Sequence, residues 1–141
     1  MRYIQALALS LAVVLLSGCS RAPGDPAMPA NDADISIQVG GLYTSQRDDG
    51  KWRVSKVLAY DGDTVHVRMY ANQFAERPQS LDPAILTLGS VGTPNGFGIG
   101  HAPIAKQGFL SEKRYLVMVT PVTDDELEGY RYYLEAMREA R

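Results

Sequence analysis

Cysteine is almost absent from this 141-residue chain. Its single thiol, Cys19, excludes an internal disulfide framework and any cysteine-based zinc cluster. Two histidines leave little material for a His-rich metal site. No excess of positive charge exists either: 14 basic side chains face 16 acidic ones, for a net charge of -2. Without a basic field to grip a phosphate backbone, nucleic acid is excluded as a first reading of the partner. A hydrophobic run of membrane-spanning length is also missing. The longest apolar stretch, Ile4 to Leu16, would rise only about 20 Å as a helix, short of a ~30 Å hydrocarbon core.

What is present begins with that stretch. Arg2 supplies a short positive region, and Ile4 to Leu16 follow as an apolar region broken by Gln5 and Ser10. This order fits a signal peptide over residues 1–18 rather than a permanent membrane helix. Leu16-Ser17-Gly18-Cys19 closes it. The run resembles the lipobox of bacterial lipoproteins, in which a leucine and two small residues precede the lipidated cysteine. The resemblance implies cleavage before Cys19, a diacylglyceryl group on its thiol, and acylation, with palmitate for example, of the new amino terminus. Several acyl chains at about 0.8 kcal/mol per buried methylene give firm membrane anchoring. Ser20, where an aspartate would favour the inner membrane, implies the outer membrane facing the periplasm.

Residues 19–34 read as the lipidated cysteine and a tether. Pro23, Pro26 and Pro29 punctuate it, and it shows no apolar periodicity. A single globular domain is expected over 35–141. Ile35, Ile37 and Val39 alternate with polar or small residues, as a first strand would. Trp52–Tyr60 and Thr64–Tyr70 read as strands joined at Asp61-Gly62, a strong hairpin signal. Ala71–Pro83 reads as irregular, Ala84–Leu88 as a short strand, 89–100 as a glycine-rich loop, and Tyr115–Thr120 as a buried strand. Thr123-Asp124-Asp125-Glu126 is a capping box. It opens a helix over 124–139 whose apolar stripe is Leu127, Tyr130, Leu134 and Met137.

The expected class is therefore α+β and mostly β: short antiparallel strands followed by one C-terminal amphipathic helix. In the rhythm of residues 38–70 the chain resembles small SH3-like barrels. Gly41-Leu42-Tyr43, Lys56-Val57-Leu58, Val65-His66-Val67-Arg68, Gly98-Ile99-Gly100-His101 and Glu128-Gly129-Tyr130 together resemble a recurring small bacterial domain. That resemblance implies modularity and no particular chemistry.

The site candidates are few. Gly96-x-Gly98-x-Gly100 matches no phosphate-binding fingerprint, so no nucleotide is expected. Asp61 and Asp63 read as turn residues and Asp124–Glu126 as a helix cap, so no metal or other cofactor is expected. His66 alternates onto the polar face of its strand and reads as exposed. His101, after the glycine loop, is the weak candidate for a catalytic base, but no nucleophile-elbow pattern surrounds Ser80, Ser90 or Ser111. Tyr132 and Tyr133 cannot both share the face of Tyr130, so they read as partner-binding candidates. The expectation is a non-enzymatic binding module, anchored to the membrane through Cys19, for a protein or envelope partner. An immunity-type inhibitor is one variant of this reading. The alternative is a small envelope hydrolase using His101.

Overall fold

A computed structural model describes residues 36–141. The signal peptide, Cys19 and the tether lie outside the described residues. Five strands form one antiparallel sheet: β1 (Gly41–Gln46), β2 (Trp52–Asp61), β3 (Thr64–Phe74), β4 (Ile99–Ala105) and β5 (Arg114–Val119). Their spatial order is β4-β3-β2-β1-β5, so four strands meander and the fifth returns beside the first. Helix α1 (Lys106–Ser111) connects β4 to β5, and α2 (Glu128–Glu139) ends the chain. The mostly β class with a C-terminal helix is what the sequence leads one to expect. The sheet stays open rather than closing as a barrel, because its edge strands β4 and β5 do not pair.

The β2–β3 hairpin forms where Asp-Gly demands it. Asp61 pairs with Thr64, and Gly62 turns the chain at φ 60°. Cross-strand partners share a face of the sheet, so the registers sort the side chains onto two sides. On the α1 side, Tyr43, Val57, Val65 and Val67 close around Phe109 of α1 as the hydrophobic core. Tyr43 meets Phe109 edge-on, with centroids 5.4 Å apart. Its hydroxyl donates to the Ser36 carbonyl at 2.7 Å and accepts from Gln38 N–H at 3.0 Å. Those bonds tie down the segment entering the sheet.

The α2 side is polar at its centre. Lys56, almost wholly buried, donates to both carboxylate oxygens of Glu126 (2.7 and 3.0 Å) and to the Pro121 carbonyl (2.7 Å). Tyr70 donates to the same carboxylate at 3.2 Å. Burial, and then the Glu126 charge, push the Tyr70 hydroxyl up to about 12. The capping box is formed in both directions. Thr123 N–H donates to Glu126 at 2.9 Å, and Glu126 N–H donates to the Thr123 hydroxyl at 3.4 Å. One glutamate thus caps the chain before α2 and neutralises a buried lysine.

Several local expectations are corrected. Residues 36–40 do not form a strand; the chain becomes extended in the sheet only from Gly41. Pro83–Ile85 is a 3-10 turn capped by Asp82, not part of a strand at 84–88. The glycine-rich run is a loop as expected, closed by a bridge between Gly89 and Phe97, except that its last two residues, Ile99 and Gly100, already belong to β4. β5 is an edge strand with Leu116 and Val119 exposed, where a buried strand was expected. The segment 124–127 is a turn before the helix proper. Leu127, Tyr130 and Leu134 are only half-buried and Met137 is exposed, so the stripe docks in part.

Candidate functional site: a histidine chain and an arginine groove

The two histidines, 35 residues apart in sequence, are adjacent in space because β3 and β4 are neighbours. His66 pairs with Pro103, which sets His101 beside His66 on the α2 side. His66 is completely buried, against the expectation of an exposed residue. Period-two alternation gave its face correctly, but α2 covers that face. His66 Nδ1 lies 2.9 Å from His101 Nε2, and His66 Nε2 lies 3.1 Å from Asp61 Oδ2. The ring planes agree within 10° and the centroids are 5.2 Å apart. With nitrogens in contact at that spacing, the rings meet edge to edge rather than face to face.

One proton arrangement satisfies the chain when both rings are neutral. His66 donates from Nε2 to the Asp61 carboxylate, and its Nδ1 accepts from His101 Nε2–H. The unprotonated nitrogen is then His101 Nδ1. Burial, and then the neighbouring His66, hold the His101 pKa below its ordinary value. Helix α2 supplies the cover: Tyr130 and Tyr133 lie 4.5 and 4.9 Å from the His66 ring, centroid to centroid. The pKa of the Tyr130 hydroxyl is raised by burial and then by the Asp61 charge. Gly129 permits this closeness, since a Cβ there would sit 2.6 Å from His101 Cβ.

Chemically, the chain can hold and relay a proton between Asp61 and His101. No hydrogen bond of either ring goes to a serine. Among the described residues no group of three or more His, Cys, Asp or Glu could hold a metal. Tyr133 therefore sits half-buried in the histidine cluster, whereas Tyr132 is 64% exposed. Cys19 lies outside the described residues, so the structure does not bring it together with any of these.

A second constellation occupies the α1 side. Ser45 pairs with Arg53 on β2 and with Arg114 on β5, so both arginines flank one serine in a row across three strands. Arg47 follows two residues after Ser45, and its charge acts on Arg114. The neighbouring row is Tyr43–Ser55–Met69–Ile99, again by direct pairing. A cavity of about 270 Å³ lies here, and its lining includes the three arginines together with Met69, Ile99, Ile104 and Phe97. Phe97 is 66% exposed. Its loop is fastened by Gln73 Nε2, which donates to the Asn95 carbonyl at 3.0 Å.

Arg114 is a fixture of this cavity. Its guanidinium lies 4.5 Å over the Phe109 ring, and it donates to the Phe109 carbonyl (3.1 Å), Ser55 (3.4 Å) and Glu112 (2.6 Å). Burial holds its pKa below the ordinary value. Glu112 works against that and the Arg47 charge adds to it. Arg53 pairs with Asp49 at 3.0 Å, but its buried Nη1 has no hydrogen-bond partner among the described residues. Arg47 has no carboxylate partner among the described residues.

Sequence reasoning missed this groove. Arg47, Arg53 and Arg114 sit on three segments, and only the β1–β2 and β1–β5 registers superpose them. The one available signal was the phase of β2, which sets Arg53 on the same face as Ser55 and Val57. No described helix is long and apolar enough to cross a membrane. No family model matches the chain, and neither a curated protein nor a solved structure matches it.

Proposed function

We propose that this chain is a lipid-anchored binding module of the bacterial cell envelope, tethered through Cys19 at the outer membrane and facing the periplasm. The observation that carries the binding reading is the groove. Three arginines converge there beside an exposed Phe97 and Ile99, on a rigid sheet. Arg114 fastens Phe109 and Arg53 pairs with Asp49, but Arg47 has no carboxylate partner among the described residues and Phe97 is 66% exposed, so packing does not account for these two. Exposed Tyr132, on the other side of the sheet, is a second contact for a protein partner. An immunity-type inhibitor is one form such a module takes.

The rival reading is a small envelope hydrolase with His101 as its base, and the Asp61–His66–His101 chain favours it. Two measurements decide. Metabolic labelling with a palmitate analogue should mark the wild type and not Cys19→Ser; equal labelling of both would sink the anchor. Arg47→Gln should reproduce part of a gene-deletion phenotype and His101→Gln should not. The reverse result, with both proteins folded, would replace the module by the hydrolase.

A further inference from the structure

We infer that the groove on the α1 side is a binding site for a small organic anion, a carboxylate or phosphate monoester carrying an apolar group; this rests on the binding-module reading and names its ligand. Arg47, Arg53 and Arg114 line one cavity in which, among the described residues, Glu112 is the only lining carboxylate. Glu112 is engaged by Arg114, and Asp49 by Arg53. Like charges gathered in a partly desolvated place repel, and a bound anion relieves that repulsion. The groups are guanidiniums, whose planar fork of donors matches the two oxygens of a carboxylate or phosphate. Arg47 is without a carboxylate partner among the described residues, and so keeps its fork available.

The apolar lining sets the rest of the ligand. Met69 and Ile99 are cross-strand partners, and with Ile104 and Phe97 they line the same cavity as the cations. Ile99 and Phe97 are exposed there, so an apolar group laid against them would leave water. A volume of about 270 Å³ lies below the range typical of drug-sized ligands. It accommodates one head group and a short apolar body rather than a dinucleotide. The walls are also preorganised. Arg114 is held by three hydrogen bonds and an aromatic ring, and the Phe97 loop is bridged at Gly89. The same chemistry is offered by a free metabolite-sized anion and by an anionic lipid, and the test separates the two.

The full chain is placed in phosphatidylcholine nanodiscs with labelled methyl groups on methionine and isoleucine. It is titrated with hexanoate and with phenyl phosphate, and separately with hexanol and phenol. The anions should shift the Met69, Ile99 and Ile104 methyls saturably, and the neutral analogues should not. Arg47→Gln, at an exposed position that leaves the Arg114 network intact, should weaken anion binding about tenfold. Replacing part of the disc lipid by phosphatidylglycerol should compete with the soluble anions if a lipid headgroup is the source, and leave them unaffected if the source is free. Absence of anion-dependent shifts, equal response to hexanol, or undiminished affinity in Arg47→Gln would each overturn the assignment. None of these would bear on the palmitate labelling or the deletion phenotype, which test the binding module itself.

Discussion

His66 Nδ1 and His101 Nε2 share one hydrogen bond at 2.9 Å between adjacent strands, and Asp61 anchors the far side of His66. Tyr130 and Tyr133 of α2 close the same cluster, with ring centroids 6.1 and 5.8 Å from that of His101. The two rings pack against Tyr130 and Tyr133 of the helix, and the protonation of His101 bears on stability.

The sign follows from His101. Its pKa is depressed in the folded chain, first by burial and then by His66, below the ordinary 6.5. Well above 6.5 both folded and unfolded chains hold the ring neutral. As pH falls through 6.5 the unfolded chain takes up a proton that the folded chain refuses, so stability drops until the folded pKa is reached. Denaturant melts between pH 7.5 and 5 should show this loss in the wild type. His101→Gln, which keeps a donor for His66, should flatten it. An unchanged slope in the variant would place the titration elsewhere.

Gly129→Ala is expected to destabilise, although alanine is the better helix former by about 1 kcal/mol. A Cβ at 129 would meet His101 Cβ at 2.6 Å and Cγ at 3.3 Å. Those atoms lie next to the β4 backbone and cannot swing aside as a flexible tip could. Helix α2 must move away, at a net cost of about 1–3 kcal/mol. Urea melts give the cost, and the histidine ring signals should shift as the helix moves. A variant more stable than wild type would show that α2 is loosely seated.

The β2–β3 hairpin and the cap before α2 were legible in the sequence because local chemistry dictates them. Asp61-Gly62 can scarcely be anything but a hairpin turn, and the Thr123/Glu126 capping box is local by construction. β4 was hidden because Ile99–Ala105 has Gly100 and Pro103 in it and no clean alternation. It exists as a strand because β3 offers an edge to pair with. His66 was misread for a related reason: a polar face need not be a wet one once a helix from the far end of the chain covers it. The arginine groove is non-local altogether, assembled from register alone.

Lys56→Met should be among the most damaging single changes, costing about 3–5 kcal/mol. It removes the cation that neutralises Glu126 and leaves a carboxylate under the α2 segment with less compensation. Burial pushes the Glu126 pKa up. The hydrogen bonds from Lys56 and Thr123 N–H and the Lys56 charge outweigh that, so its pKa is lowered. Its contribution is therefore present above the ordinary carboxylate value of about 4.5 and is lost as pH falls through the lower folded value. In Lys56→Met the folded Glu126 pKa rises toward the ordinary value, so the part of the acid-side stability loss that Glu126 contributes should shrink. Thermal melts at pH 3 to 6 on both proteins read this directly; coincident acid limbs would mean the pair is not what holds Glu126 ionised.

Thr44→Val, by contrast, should stabilise. Thr44 is fully buried on β1, between Val54 of β2 and Tyr115 of β5, and its hydroxyl has no hydrogen-bond partner among the described residues. A buried hydroxyl without a partner carries its desolvation penalty with nothing to offset it. Valine has nearly the same shape and β-branching, so the packing against Val54 is retained and the β propensity is at least as good. The expected gain is about 1 kcal/mol, measured as a higher urea midpoint with an unchanged slope. Thr44→Ser separates the two parts of the argument. It keeps the hydroxyl but removes the methyl, and should destabilise by opening a small void. If Thr44→Val lowers the midpoint instead, the hydroxyl is hydrogen-bonded in solution, and a buried water between β1 and β5 becomes the explanation to pursue by hydrogen exchange at Tyr115.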